Sequence, residues 1–245
     1  MILRNKLPVV LLALYWPAVF VLSHIPIPRV VREAHASDKS LHFLAYMVLT
    51  LLLWSVVKPG QKVRWRKAAA WWVLGIVMVY GVCDELLQHF VAGRSTDARD
   101  LVADAAGAVT ALGVLSFLSF RPAFMVAVGT IIYTLTVFVR ADVSQILPVT
   151  ATVFHLAAYV LFTLLWAGCL RHWQALRKVG FGRFIALAAA PVGLMVVAKA
   201  SAMLSGKAFT GWDMVAAGVG VLAGAGAVTA VEMAKRRRAR NAECQ

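Results

Sequence analysis

Charged side chains are scarce in this sequence. Asp, Glu, Lys and Arg make up 15% of its 245 residues, and the acids are the rarer kind, 11 against 25 basic residues. Average soluble domains are about half apolar, whereas 61% of this chain is hydrophobic, which excludes an ordinary soluble domain and points to an integral membrane protein. The three cysteines, Cys83, Cys169 and Cys244, show no paired spacing, so neither a disulfide framework nor a zinc knuckle is expected. No His-x-x-x-His occurs to support zinc. Ser23, Ser95 and Thr96 lack a G-x-S-x-G context, which leaves a serine hydrolase without support. The charged and then apolar start, MILRNKLPVVLLALYWPAVFVLSHIP, is followed by no A-x-A-like cleavage site, so it reads as a first span and not a signal peptide.

What is present is a series of long apolar runs. A spanning helix needs about 20 mostly apolar residues, and eight segments meet or approach that length: 8–23, 40–57, 68–90, 100–120, 123–139, 150–170, 184–203 and 212–234. The formal charge of +14 is spread over the loops, so it predicts topology and not nucleic-acid binding. With the N-terminus in the cytoplasm, that side carries Arg4 and Lys6, Lys58, Lys62, Arg64, Arg66 and Lys67, Arg121, then Arg171, Arg177, Lys178 and Arg183, and finally Lys235 to Arg238 and Arg240. Trp54, Trp65, Trp71, Trp72, Trp166 and Trp173 fall near the same face, as an interfacial belt does. The expected location is the bacterial inner membrane, multi-pass, with both termini cytoplasmic.

The halves of the chain resemble each other. SLHFLAYMVLTLLLW (40–54) is similar to VFHLAAYVLFTLLW (153–166), and AGRSTDARDLVADAAG (92–107) to SGKAFTGWDMVAAGVG (205–220). One offset, 113 residues, relates His42 to His155, Tyr46 to Tyr159, Gly93 to Gly206, Asp100 to Asp213 and Gly107 to Gly220. Four spans per copy return the chain to its starting side, so the expected fold is all-α, about eight transmembrane helices arranged as two parallel four-helix repeats. The corresponding domains are 1–121, carrying the polar residues, 122–235, a degenerate copy, and 236–245, a basic cytoplasmic tail. In the second copy Ala198 stands opposite Glu85, Val197 opposite Asp84, Ser201 opposite Gln88 and Ala217 opposite Asp104, while Lys207 keeps the charge of Arg94.

The chemistry therefore concentrates in residues 38–107. Residues three or four apart share a helix face, which puts Asp38, His42 and Tyr46 on one stripe at the start of the second span. Glu85 and Gln88, with Asp84 a short rotation away, mark the end of the third, and Asp100, Asp104 and Gly107 follow one face of the fourth. Alternating span direction brings these groups to the same, extracytoplasmic, depth, with Arg94 and Arg99 in the loop above them. Ala103-x-x-x-Gly107 allows close helix approach. His42, Tyr46 and Asp100 recur in both halves and read first as helix glue. Glu85, Gln88, Arg94 and Asp104 occur together in one half and read as functional, because intramembrane charge is costly. An oxygen-rich divalent site is conceivable, but Arg94 competes for the acids, so ion pairing without a metal is expected, and no cofactor.

As an ordered set, His42-x-x-x-Tyr46, Asp84-Glu85-x-x-Gln88, Gly93-Arg94 and Asp100-x-x-x-Asp104-x-x-Gly107 resembles the VanZ-like family of small bacterial membrane proteins, over about residues 15–115, with Ser23 fitting weakly. The resemblance implies an association with low-level teicoplanin resistance and with cell-envelope polysaccharide, but no defined reaction. Asp104 departs from the family, which commonly has Asn there; the change adds a potential charge.

Two functional classes fit. One is a receptor-like envelope protein whose outward cavity binds an amphiphile, either a lipid head group or a lipoglycopeptide. The other is an intramembrane enzyme acting on a lipid-linked phosphate or glycan, in which Glu85, His42 and Asp104 serve as acid, base and tuning group. In both, Arg94 with Lys39 holds the anionic part of the ligand, and Gln88, Asp100, Tyr46 and Asp84 line the binding site. A transporter fits less well, because the acids cluster at one face of the membrane and not at its midplane.

Overall fold

The computed structural model describes residues 6–24, 38–91, 97–136, 148–170, 181–204 and 210–243. Every element in them is helical: α1 (Lys6–His24), α2 (Asp38–Val57), α3 (Ala68–Gln88), α4 (Ala98–Phe117), α5 (Phe120–Thr134), α6 (Pro148–Leu170), α7 (Phe181–Leu204) and α8 (Gly211–Glu243). Seven are long and apolar enough to cross a membrane. The protein is a multi-pass helical membrane protein. The fifth expected span, 123–139, corresponds to α5, which has 15 residues of α-helix up to Thr134, and its last three residues, 137–139, lie outside the described residues. The chain divides into two compact units, Met1–Ala127 and Val128–Gln245.

In the first unit α2 is the central helix, packed against α1, α3 and most extensively α4. Its sequence is apolar on every side, as an enclosed helix requires, and every residue from Tyr46 to Ser55 is buried. The two aliphatic hydroxyls in that stretch find partners where no water reaches. Thr50 and Ser55 donate to the carbonyls of Tyr46 and Leu51, one turn back, each at 2.7 Å. The α2–α4 contact is backbone against backbone at Gly107, where a Cβ would lie 2.2 Å from the Phe43 carbonyl oxygen. Outward-facing residues are large and apolar, among them Trp72, Val79, Leu86 and Val102, as a lipid-facing surface demands.

The two ends of this unit differ chemically. One end holds the turn between α2 and α3, with Lys58, Lys62, Arg64, Arg66 and Lys67, and three tryptophans tie it down: Trp54 Nε1 donates to Gln61 O at 2.8 Å, Trp65 Nε1 to Ser116 Oγ at 3.0 Å, and Trp71 Nε1 to Trp65 O at 2.9 Å. The other end collects the last turns of α1 and α3 and the first turns of α2 and α4, and with them every buried charged or histidine side chain described in the unit, together with Gln88.

In the second unit the principal pairing is α6 with α8. It too is a close glycine contact: a Cβ on Gly220 would lie 2.6 Å from the Leu156 carbonyl oxygen. Trp166 Nε1 donates to Ala186 O at 2.7 Å, tying α6 to α7, and Ala167, Leu170, Leu187 and Ala225 form the adjoining core. The apolar part of α8 ends at Ala234, and the helix runs on through the basic run to Glu243.

Gly107→Ala should destabilise the first unit by about 1–3 kcal/mol, because its methyl group meets a carbonyl that cannot retreat. Gly113→Ala, on the same helix with open space around it, should be neutral or stabilising by up to about 1 kcal/mol through helix propensity. Unfolding titrations in mixed micelles compare the two. Equal stability of both variants would show that the α2–α4 approach is not tight.

Candidate functional site

The local sequence explains why the polar end forms. On α3 the residues Val73, Val77, Gly81, Asp84, Glu85 and Gln88 are buried and follow one face at spacings of three and four. On α4 the corresponding face is Asp100, Asp104, Gly107, Ala108, Ala111, Leu112 and Leu115. Both stripes change from apolar to polar in the turns nearest the same end of the unit. Asp97 is the N-cap of α4, and its side chain accepts from the Arg99 backbone N–H at 2.9 Å.

Four carboxylates, Asp84, Glu85, Asp100 and Asp104, are buried here, between 0 and 7% exposed. An acid at the centre of a span costs about 2.5–3.5 kcal/mol on insertion scales, so each needs a partner. Asp104 Oδ1 lies 3.0 Å from His42 Nδ1, which joins α4 to α2. Asp84 accepts from Ser23 Oγ of α1 at 2.8 Å and from Gln88 Nε2 at 3.0 Å, with His24 Nδ1 at 3.7 Å. Glu85 Oε2 accepts the Asp97 backbone N–H at 3.2 Å. Lys39 Nζ sits 3.1 Å from Asp97 Oδ2 and 3.6 Å from Asp100 Oδ1. Outside the spans, the Arg99 backbone N–H and then the Lys39 ammonium hold the Asp97 carboxyl below its ordinary range.

Among the described residues the partnering is incomplete: Glu85 Oε1, Asp100 Oδ1, Asp104 Oδ2 and the Tyr46 hydroxyl are buried with no hydrogen-bond partner there. Tyr46 lies parallel to His42 at 6.5 Å between ring centroids and tilted against Tyr80 at 5.8 Å. Gly81 leaves room for the acid beside it: a Cβ there would stand 3.2 Å from Asp104 Oδ2 and 3.3 Å from Tyr46 Cε1.

Of the residues singled out from sequence, Lys39, His42, Tyr46, Asp84, Glu85, Gln88, Asp100 and Asp104 all lie at this end of the unit. Lys39 is ion-paired with Asp97 although its side chain is 42% exposed. Arg94, with Gly93, Ser95 and Thr96, lies outside the described residues, as does the Asp38 side chain. Sequence reasoning missed His24, Asp97 and Tyr80. Asp97 had a legible signal, an acid immediately before an apolar run at an N-cap position. His24 had a weaker one, its place at the end of a span that must finish on the same side as Glu85. Tyr80 had none, because one aromatic on a spanning helix looks like any other.

The fold and this site define a class, a helical membrane protein with an acid-rich niche enclosed at one end of a four-helix unit. Residues 5–121, just under half of the chain, match the VanZ/LLP1 family, and that segment belongs to it. No curated protein and no solved structure matches the chain significantly.

His42→Phe should strand the Asp104 carboxylate and cost about 3–5 kcal/mol, the usual penalty for breaking a buried pair from one side. Adding Asp104→Leu should recover most of it. A double-mutant cycle read by thermal unfolding in detergent measures the coupling. Additive losses would mean that the two side chains do not interact.

Proposed function

We propose that the VanZ/LLP1 segment is a receptor-like domain of the bacterial inner membrane whose niche faces the periplasm and binds the polar head of an amphiphile, a lipid or a lipoglycopeptide. Orientation rests on charge: the Lys- and Arg-rich turn between α2 and α3 lies at the opposite end from the niche, and basic loops remain cytoplasmic. The observation that carries the reading is an apolar groove of about 510 Å³ lined by Val9, Leu12, Ala13, Trp16, Pro17, Phe20 and Tyr80. Its Phe20 stacks on His24 at 4.2 Å, and its Tyr80 meets Tyr46. A hydrocarbon chain in that groove would bring its head group toward the end of α1, where Ser23 and His24 meet Asp84. A link to glycopeptide tolerance or to envelope polysaccharide belongs to this same reading.

A second reading is an intramembrane enzyme acting on a lipid-linked phosphate. What favours it is the Asp104–His42 pair near Glu85, one oxygen of which has no hydrogen-bond partner among the described residues, a set equipped for proton transfer. Arg94 and Lys39 would then hold the phosphate.

Residues 122–235 we read as a degenerate copy of the first unit. Two pairs of contacts at the 113-residue offset support this. Gly107 approaches Phe43 O as Gly220 approaches Leu156 O, and Thr50 donates to Tyr46 O as Thr163 does to Tyr159 O, both at 2.7 Å.

Teicoplanin or phosphatidylglycerol should bind the reconstituted protein at least tenfold more weakly after Arg94→Ala or Glu85→Gln. Unchanged affinity in both variants would remove the niche from binding. The enzyme reading expects altered head-group profiles, by mass spectrometry, in lipid extracts of cells lacking the protein; identical profiles argue against it. In a background without Cys83, Cys169 and Cys244, Ser95→Cys should react with an impermeant maleimide from the periplasm. Reaction only after the membrane is opened would reverse the topology.

A further inference from the structure

His42, Glu85 and Asp100 come from three different helices, α2, α3 and α4, and all three are buried. One ligand atom from each lies within 4.8 Å of the others. Metal–ligand distances run from about 2.0 to 2.6 Å, so two ligands across one ion stand at most about 4–5 Å apart. Their mutual spacing is therefore short enough for one ion to reach all three.

Two carboxylates brought this close repel each other unless something positive lies between them. Within the described residues Lys39 pairs with Asp100, but one oxygen of each carboxylate makes no hydrogen bond. Glu85 Oε1 and Asp100 Oδ1 are buried without a hydrogen-bond partner, and Lys39 Nζ stays 3.6 Å from Asp100 while bonding the more exposed Asp97 at 3.1 Å. A second observation stands behind the histidine. Asp104 Oδ1 is 3.0 Å from His42 Nδ1; a carboxylate accepting the Nδ1 proton leaves the lone pair on Nε2 and fixes the ring, which is how metal-bound imidazoles are commonly supported.

We propose that His42, Glu85 and Asp100 bind a divalent cation, with Asp104 as the positioning residue that orients the imidazole. One imidazole and two carboxylates form a mixed nitrogen and oxygen set, which suits Mn²⁺ or Zn²⁺ better than the all-oxygen cages of Ca²⁺. Three protein ligands leave coordination positions for water or for an anionic oxygen of a ligand. The cation would also explain how a site so rich in acids tolerates a phosphate or carboxylate head group. The proposal stands without that step, since the ion is bound by the protein's own side chains.

The test uses the tag-free, full-length chain in detergent, stripped with chelator. The six-line electron paramagnetic resonance spectrum of free Mn²⁺ should disappear as one ion per chain binds, and Zn²⁺ should displace it, being the stronger binder in the divalent series. Glu85→Gln and Asp100→Asn, which keep shape but remove charge, should each weaken Mn²⁺ at least tenfold. Asp104→Asn should weaken it about tenfold to a hundredfold, with a parallel loss of the Mn²⁺-induced rise in melting temperature. Lys39→Ala should tighten it, and Asp213→Asn in the second unit should leave it unchanged. No stoichiometric uptake of either metal by the wild type would overturn the proposal. So would uptake that appears only in Arg94→Gln, which would make Arg94 the counter-charge, or uptake indifferent to Glu85→Gln and Asp100→Asn. None of these readouts needs the amphiphile, so failure of the receptor reading leaves this result intact.

Discussion

A buried carboxylate has no water to solvate it, and in this protein that one constraint organises the first unit. Asp84, Glu85, Asp100 and Asp104 are almost wholly enclosed, and no single helix can satisfy its own acids. Asp104 depends on His42 of α2, Asp84 on Ser23 of α1, and Glu85 on the backbone where α4 begins. Each bond therefore joins two helices, and the bonds together fix which ends of α1 to α4 must meet. Apolar packing between spanning helices gives little such direction, because lipid is as good a neighbour as leucine.

That arrangement is possible only if the helices come close. Side chains as short as Asp reach across an interface when a glycine lies nearby, and two glycines supply the room. Gly107 lets α4 rest on the backbone of α2, one turn below Asp104, and Gly81 opens space on α3 for the second oxygen of Asp104. The small residues and the acids form one design: removing a glycine would push apart the partners that make the acids tolerable.

Much of this was legible in the sequence. Helix ends fell within a few residues of the apolar runs for most spans, because about 20 apolar residues in lipid have one stable conformation. The grouping of His42, Glu85, Asp100 and Asp104 followed from parity alone, since successive spans alternate direction and all four lie near the same end of theirs. What could not be read was the pairing. Nothing in the chain says that Asp104 faces His42 while Asp84 turns to Ser23 and Gln88, because that depends on helix rotation, which is set by Gly107 and by the packing of Tyr46 against Tyr80.

The second unit bears on whether the acids serve structure or chemistry. It keeps a buried histidine, tyrosine and aspartate at His155, Tyr159 and Asp213. Asp213 is held locally, by the backbone N–H and hydroxyl of Thr210 at 2.8 and 2.5 Å, as Asp97 is held by its own helix start. At the positions 113 residues beyond Glu85 and Asp104 it has Ala198 and Ala217, both fully buried. Gly220 and Tyr159 still bring α6 and α8 into contact there. A glycine-mediated helix pair with a His, a Tyr and an Asp thus packs without Glu85 or Asp104, and buried charge contributes less to stability than apolar packing of equal volume. Buried alanines meet the packing demand at Ala198 and Ala217, so under the proposed reading the carboxylates of Glu85 and Asp104 stand at the α2–α3–α4 end for what they hold or move and not for stability alone.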